Sequence, residues 1–246
     1  MPIALIIDDE PEANRLLARL VQLKGFQSVP AFTGSDAAAA LAGTRPDIIF
    51  LDLMLPDVSG FEVCESLKAA RDTYSIPIVM NTARLAAENR LQSYRHGADA
   101  FIQKPYTPDQ IFNALKQAPI WRDLPATSPA QGTIALQGHD EAAAHQAIGR
   151  LWGLLLHRTI WEAEQVRRLV MDLGHWAHDL FVWTKSRPDR PLATLAYEVR
   201  PDRVELLVHD EAGWGPHVDL RRLGPPGRFD EVLEEGGATR FRVQPR

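Results

Sequence analysis

The chain has 246 residues, enough for two domains of ordinary size, and 45% of them are hydrophobic, enough to form a core. The formal net charge of −5 gives no bulk basicity, and there is neither an apolar run of about 18 residues nor a charged-then-apolar leader. These features argue against a membrane-spanning or exported protein, so we expect a cytoplasmic protein whose single cysteine forms no internal disulfide.

Apolar strands and amphipathic helices alternate through residues 2–117. The predicted strands read IALII, FQSVPAF, DIIFLD, IPIVMNT and DAFIQ, and a segment of helical periodicity follows each one. Gly25 and Gly97 stop the first and fourth helices, and Thr107 followed by Pro108 starts the fifth. Successive strand–helix units of this kind predict an α/β domain with a five-stranded, parallel, doubly wound sheet.

Polar residues follow the predicted strands at the points where they end: Asp8 and Asp9, Asp52, Thr82 and Lys104. In a parallel sheet these ends share one edge, so the carboxylates would repel one another unless a cation neutralised them. All-oxygen ligands with open water positions suit Mg²⁺ or Mn²⁺. Asp52 could then act as a nucleophile, with a lysine and a hydroxyl holding the other oxygens of a phosphoryl group. The pattern predicts phosphoryl transfer to a carboxylate.

The segments IIDDE, LDLMLPDVSG, Thr82-Ala83 and Lys104-Pro105 occur in the order and at the spacings of a known family. Residues 2–117 resemble the receiver domains of two-component response regulators. The resemblance implies a flavodoxin-like fold with Asp52 as the phosphoacceptor. It also implies a Mg²⁺ site formed by Asp8, Asp9, Asp52 and the backbone carbonyl of Met54.

The same resemblance assigns further roles. Thr82 would contact the phosphoryl group, Lys104 would pair with it, and Phe101 would be the rotating aromatic residue of the switch, with a cis peptide bond before Pro105. A sensor histidine kinase would be the phosphodonor, and the expected chemistry is limited to phosphorylation and autodephosphorylation of the receiver. Alternatives are a flavodoxin-like sheet whose acids are merely solvated, and for Arg84 either an effect on dephosphorylation or a plain surface position.

A change in composition marks a domain boundary. All six tryptophans and seven of the eight histidines follow residue 118, and the segment 119–132 holds three prolines among small polar residues. We predict a receiver domain over 1–118, a linker over 119–132 and an output domain over 133–246. Neither half is basic, because residues 1–118 hold 11 basic and 14 acidic side chains, and the remainder holds 16 and 18.

The second half has an α+β pattern. It predicts a short strand TIALQ, two long helices, a hairpin of LATLAYEV and RVELLVHD, a loop-rich segment from Gly213 to Gly237, and a last strand ATRFRV. We expect the helices on one face of a small mixed sheet.

This order resembles the anti-sigma-factor kinase branch of the GHKL ATPase family, in which an aspartate, here Asp210, would hold adenine. The sequence departs from that family in three places. Trp176 aligns with the metal-binding asparagine and cannot ligate Mg²⁺, the glycines of the loop after Asp210 are displaced, and the second glycine-rich phosphate loop is absent. The resemblance therefore implies a degenerate domain without kinase activity.

Several functions of the second half remain open at this stage. It binds an unidentified protein partner or the receiver itself, or it is a receiver-gated ATPase or serine kinase. A homodimer could form through the receiver face made by the fourth helix, fifth strand and fifth helix. The charge balance and the lack of a helix–turn–helix argue against DNA binding. Asp172, His175 and His178 recur every three residues, but such steps drift around a helix, which favours surface or interface histidines over a metal site.

Overall fold

The computed structural model describes residues 1–83, 87–136, 140–184, 194–209, 231–235 and 238–243. The chain divides into two units, Met1–Leu124 and Pro125–Arg246. Two positions with a predicted role, Arg84 and Asp210, lie outside the described residues. No helix in the described part of the chain is long and apolar enough to cross a membrane.

The first unit is a parallel sheet with helices. Its elements are β1 Ile3–Ile7, α1 Pro11–Gln22, β2 Gln27–Ala31, α2 Gly34–Gly43, β3 Ile48–Leu51, α3 Gly60–Ala69, β4 Ile78–Thr82, α4 Ala87–Arg95, β5 Ala100–Gln103 and α5 Pro108–Thr127. The strand order is β2-β1-β3-β4-β5, and every neighbouring pair is parallel. This confirms the predicted five-stranded, doubly wound α/β fold.

Both faces of this sheet are buried. Ala4 and Ile6 of β1 belong to one hydrophobic cluster with α1 and α5, and Leu5 and Ile7 belong to a second cluster with α2 and α3. The residues of β3 alternate between the same two clusters. Side chains of a strand alternate between faces, so a continuous apolar run is what a central strand covered on both sides requires.

Glycines end two helices of the first unit, as predicted. Gly25 follows α1 with a φ of 79°, and Gly97 follows α4 with a φ of 89°. This left-handed conformation costs glycine little because it has no Cβ. At the start of α5, the Gln110 side chain accepts a hydrogen bond from the Thr107 backbone N–H at 2.8 Å.

The structure corrects the prediction of an irregular linker over 119–132. Helix α5 continues to Thr127, and only residues 128–130 separate it from the next strand. The prediction relied on the prolines, but Trp121 packs against the first hydrophobic cluster and the Arg122 guanidinium lies 2.9 Å from the Asp47 carboxylate. These contacts hold the helix together despite the backbone hydrogen bond that Pro119 cannot donate.

The second unit contains an antiparallel sheet and two long helices. Its elements are β6 Gln131–Ala135, α6 Glu141–Arg158, α7 Ala163–Thr184, β7 Thr194–Val199, β8 Val204–His209, β9 Glu231–Glu235 and β10 Ala238–Val243. The strand order is β6-β7-β8-β10-β9. The hairpin of β7 and β8 is present as predicted, with the Arg200 N–H donating to the Arg203 carbonyl.

Two expectations for the second unit need correction. All pairs among the described strands are antiparallel, whereas a mixed sheet was expected, and the segment expected to be loop-rich contains β9. Strand β9 pairs with β10 along its length, with Val232 opposite Phe241. This pairing satisfies backbone groups that β10 would otherwise expose at a sheet edge.

Candidate functional site

The strand order of the first unit brings three carboxylates together. Strands β1 and β3 are neighbours, so Asp8 and Asp52 leave the sheet side by side at its C-terminal edge. Asp8 and Asp52 are buried, and Asp9 is exposed. One carboxylate oxygen from each of the three lies within 4.8 Å of the others. This places three of the predicted metal ligands in one cluster.

Lys104 reaches this cluster from the end of β5. Its Nζ lies 2.7 Å from Asp8 Oδ2 and 2.5 Å from Asp52 Oδ2, so a single ammonium bridges two of the acids. Its backbone N–H donates to the Thr82 carbonyl at 2.9 Å, and the peptide bond to Pro105 is cis, as predicted. The lysine is therefore fixed through both its backbone and its side chain.

Burial and charge act together on the ionisable groups. Burial raises the pKa of Asp8 above its ordinary value, although the hydrogen bond from Lys104 opposes this effect. Burial lowers the pKa of Lys104, but hydrogen bonds to Asp52 and Asp8 outweigh it and the net pKa is raised. Three carboxylates facing one ammonium leave an excess of negative charge when all are ionised. An all-oxygen donor set of this charge fits a hard divalent cation such as Mg²⁺.

The loop after β3 holds the Asp52 carboxylate. The backbone N–H of Met54 donates to Asp52 Oδ1 at 3.1 Å, and Met54 also bridges to Ser59 across the loop. Gly60 lies so close to the strand end that a Cβ there would be 2.1 Å from the Asp52 carbonyl oxygen. The glycine is thus required by the close approach of α3 to the backbone of Asp52, because any side chain would push the loop away.

The other predicted site residues occupy distinct positions. Thr82 is buried at the end of β4, and Phe101 is half-buried on β5, opposite Met80 and packed against the second hydrophobic cluster. The Met54 side chain is exposed. The roles assigned to Thr82, to Phe101 and to the Met54 carbonyl stay predictions.

Comparison with known proteins identifies the first unit. Residues 4–116 match the family described as "Response regulator receiver domain". This part of the chain is a response regulator receiver domain. The family match ends before the second unit begins.

Two curated relatives that match the receiver domain are transcriptional regulators by name. The phosphate regulon transcriptional regulatory protein PhoB of Pseudomonas aeruginosa is 36% identical over 126 residues, which cover 51% of this chain and 55% of the relative. The DNA-binding dual master transcriptional regulator RpaA of Synechocystis is 36% identical over 116 residues, covering 47% of this chain and 48% of the relative. The chain spans about half the length of these relatives.

A solved structure is also similar. The signal receiver domain of a signal transduction histidine kinase from Syntrophus aciditrophicus is 29% identical, covers 48% of this chain and 89% of its own, and superposes with a TM-score of 0.46.

The structure adds residues to the receiver site that sequence reasoning missed. Tyr106, two residues after Lys104, is half-buried, and its pKa is raised by burial and further by the negative charge of Asp8. Asn14 is buried and donates through Nδ2 to the Ile6 and Ala31 carbonyls, each at 3.2 Å, supporting the strand that carries Asp8. The only signal for Tyr106 was its position two residues after Lys104, and Asn14 gave no signal beyond its place on a helix.

Asp57 has a structural role that the sequence did not indicate. Its carboxylate accepts hydrogen bonds from the backbone N–H groups of Gly34 and Ser35, at 2.8 and 2.9 Å, at the start of α2. These bonds lower the pKa of Asp57. The loop that follows Asp52 is thereby tied to the neighbouring helix.

In the second unit, Asp172, His175 and His178 were expected to be surface or interface residues. The two histidines lie in different environments. His175 is exposed, whereas His178 contacts Glu141 of α6, with His178 Nδ1 2.8 Å from Glu141 Oε1. Trp176 is buried within α7, as are Trp152 of α6 and Trp161 between the helices. The Trp176 indole is thus a core side chain.

Proposed function

We propose that this chain is a signalling protein in which the receiver domain accepts a phosphoryl group on Asp52 from a sensor histidine kinase. The second unit then passes the signal to a protein partner. The observation that carries the proposal is the position of the Asp52 carboxylate, bridged by Lys104 to Asp8 within a cluster of three acids. A protein of this kind would act in the cytoplasm.

The residues present support in-line transfer to a carboxylate. An Asp52 oxygen forms a bond to phosphorus as the phosphorus–nitrogen bond of the donor phosphohistidine breaks, and the departing imidazole keeps the electron pair and takes up a proton. The Lys104 ammonium, already bonded to Asp52 Oδ2, lies where it can also bind an oxygen of the transferred group. Asp8 holds the ammonium on its other side.

We propose Asp8, Asp9 and Asp52 as the ligands of Mg²⁺. When bound, Mg²⁺ would neutralise the carboxylates and polarise the phosphoryl group. The exposed Asp9 provides the solvent side of the cluster, and the buried Asp8 provides the inner side. The fit rests on the donor set itself, because three converging carboxylates with one ammonium have excess negative charge.

The output is best explained as protein binding. The relatives named as DNA-binding or transcriptional regulators match about half of this chain, so their output does not transfer to the second unit. Residues 119–246 hold 16 basic and 18 acidic side chains, whereas a DNA-binding surface needs clustered positive charge. A second receiver remains a candidate partner for the receiver itself.

The first prediction tests Asp52 as the acceptor. In Mg²⁺, acetyl phosphate should add one phosphoryl group to the wild-type protein, and intact-mass measurement should detect none on Asp52→Asn, because an amide is not a nucleophile. Asp72→Asn is the matched control, since it changes an exposed carboxylate outside the acid cluster and should leave labelling intact. Undiminished labelling of Asp52→Asn would contradict the assignment of Asp52 as the phosphoacceptor.

A receiver-gated ATPase or serine kinase of the GHKL type is the second candidate. The order of strand, two helices and hairpin in the second unit favours it, and the buried Trp176 in place of a metal-binding asparagine argues against it. We expect no saturable binding of a fluorescent ATP analogue to the full-length protein. Beryllofluoride, which mimics a phosphoryl group on the receiver, should not change this result. Binding that ATP displaces would favour the enzyme over the protein-binding module.

A further inference from the structure

Helices α6 and α7 bring three potential metal ligands to one point in the second unit. Glu141 begins α6, His145 lies one turn later on the same helix, and His178 belongs to α7. Glu141 Oε1 is 2.8 Å from His178 Nδ1 and 3.7 Å from His145 Nε2. One ligand atom from each residue lies within 4.8 Å of the others.

We propose that Glu141, His145 and His178 bind a transition-metal ion of the Zn²⁺ class. Two imidazoles and one carboxylate form a set that Zn²⁺ accepts, whereas Mg²⁺ prefers oxygen ligands alone. Zinc–ligand bonds of about 2.0–2.1 Å in a tetrahedron place neighbouring ligand atoms about 3.4 Å apart. The observed separations of 2.8 and 3.7 Å from Glu141 lie on either side of that value, and no two of the three ligand atoms are more than 4.8 Å apart, so side-chain rotations would bring them onto one ion.

The site is fixed on its inner side and open on its outer side. The His145 side chain is 0% exposed, that of Glu141 is 13% exposed and that of His178 is 36% exposed. The exposed edge gives a metal ion a route of entry, and water from this side would supply the fourth ligand. Three protein ligands with one open position distinguish this arrangement from a closed structural zinc site.

A simple hydrogen bond between Glu141 and His178 accounts for only part of this arrangement. Such a pair needs no third member, yet the buried His145 faces the same carboxylate oxygen across a spacing of four residues on α6. The positive end of the α6 dipole opposes a cation at this place. The carboxylates of Asp140, which caps the helix, and of Glu141 offset that effect.

Metal titration of the full-length protein, with any affinity tag removed, tests the site. Saturating Mg²⁺ should be present so that the receiver acids do not compete. Co²⁺ should bind with one equivalent and develop the visible absorption of a four- or five-coordinate ion with nitrogen ligands, and Zn²⁺ should displace it. Zn²⁺ should also raise the melting temperature, because a ligand that binds the folded state stabilises it. An absorption spectrum of hexa-aqua type would overturn the proposal.

Variants assign the ligands. His178→Ala and Glu141→Gln should each weaken Zn²⁺ binding by at least about tenfold, because loss of a direct ligand costs no less than loss of a supporting group. His175→Ala, an exposed histidine on the same helix, is the matched control and should bind as the wild type does. The metal-free melting temperature of each variant shows whether it is folded, and Glu141→Gln retains the side-chain shape if His178→Ala is unstable. Equal affinity in Glu141→Gln and wild type, or loss of binding in His175→Ala alone, would contradict the assignment.

Discussion

At the scale of single residues, the Lys104 ammonium reduces the electrostatic repulsion between the receiver carboxylates. Its ammonium is mostly buried and bonds to both Asp8 and Asp52, and its pKa is raised by these partners despite burial. A buried cation between two carboxylates offsets their mutual repulsion, which would otherwise destabilise the folded state. In the proposed reaction the same ammonium would also bind the phosphoryl group, because it lies beside Asp52 Oδ2.

Replacing Lys104 tests this role. Without Mg²⁺, Lys104→Met should lower the free energy of unfolding by about 2–3 kcal/mol, because two charged hydrogen bonds are lost and two buried carboxylates remain unneutralised. Added Mg²⁺ should stabilise the variant more than the wild type. Lys116→Met, at an exposed position on α5, serves as the control and should change little. Chemical denaturation in EDTA and in Mg²⁺ measures both effects, and equal stability of the two variants in EDTA would count against the idea.

At the scale of secondary-structure elements, a buried ion pair joins α3 to the starts of β4 and β5. Lys68 Nζ lies 2.7 Å from Asp99 Oδ2 and also donates to the Tyr74 and Ile76 carbonyls. The same Asp99 oxygen accepts from the backbone N–H of Ile78 at 2.8 Å. These bonds satisfy polar groups at the sheet edge opposite the acids, where the chain turns between helix and strand.

Breaking this pair should affect stability but not acceptor chemistry. Asp99→Ala leaves the Lys68 ammonium buried without its carboxylate and should lower the free energy of unfolding by about 3 kcal/mol. Asp72→Ala, an exposed aspartate near the same turn, should have little effect. Urea denaturation gives the stability difference, and the folded fraction of Asp99→Ala should still be phosphorylated on Asp52. A stability equal to that of Asp72→Ala would show that the pair contributes nothing.

The elements also show what the sequence could and could not predict. The receiver strands and their terminal acids were predictable because apolar strand runs and strand-end positions are local features. The extension of α5 through Pro119 was not, because it depends on the packing of Trp121 and the pairing of Arg122 with Asp47. Strand β9 was hidden in a glutamate-rich segment, where pairing with β10 outweighs local preference.

The cluster of Glu141, His145 and His178 was hidden for a related reason. The three-residue spacing of Asp172, His175 and His178 concerns one helix only, and its drift around that helix is unfavourable for metal binding. The residues that converge come from two helices, and which faces of α6 and α7 meet is decided by packing. The residue spacing of one helix does not show which face of another helix packs against it.

At the scale of the whole molecule, α5 is the element through which a phosphorylation signal would pass. It begins in the receiver, where Ile111, Leu115 and Trp121 pack against the first hydrophobic cluster, and it ends at Thr127, past the division at Leu124. We propose that Thr82 and Phe101 respond to the phosphoryl group and bias this helix. A coupling free energy of about 1–3 kcal/mol is typical between two such sites.

Amide hydrogen exchange of the full-length protein tests this coupling most directly. Beryllofluoride with Mg²⁺ should alter exchange in the receiver and also within α6, α7, β7 and β8 of the second unit, by about fivefold or more at the responsive amides. Asp52→Asn treated in the same way should show no change in either unit. If the acceptor site of the wild type is shown to be occupied and exchange in residues 140–209 stays the same, the two units act independently and the proposed control of the output is wrong.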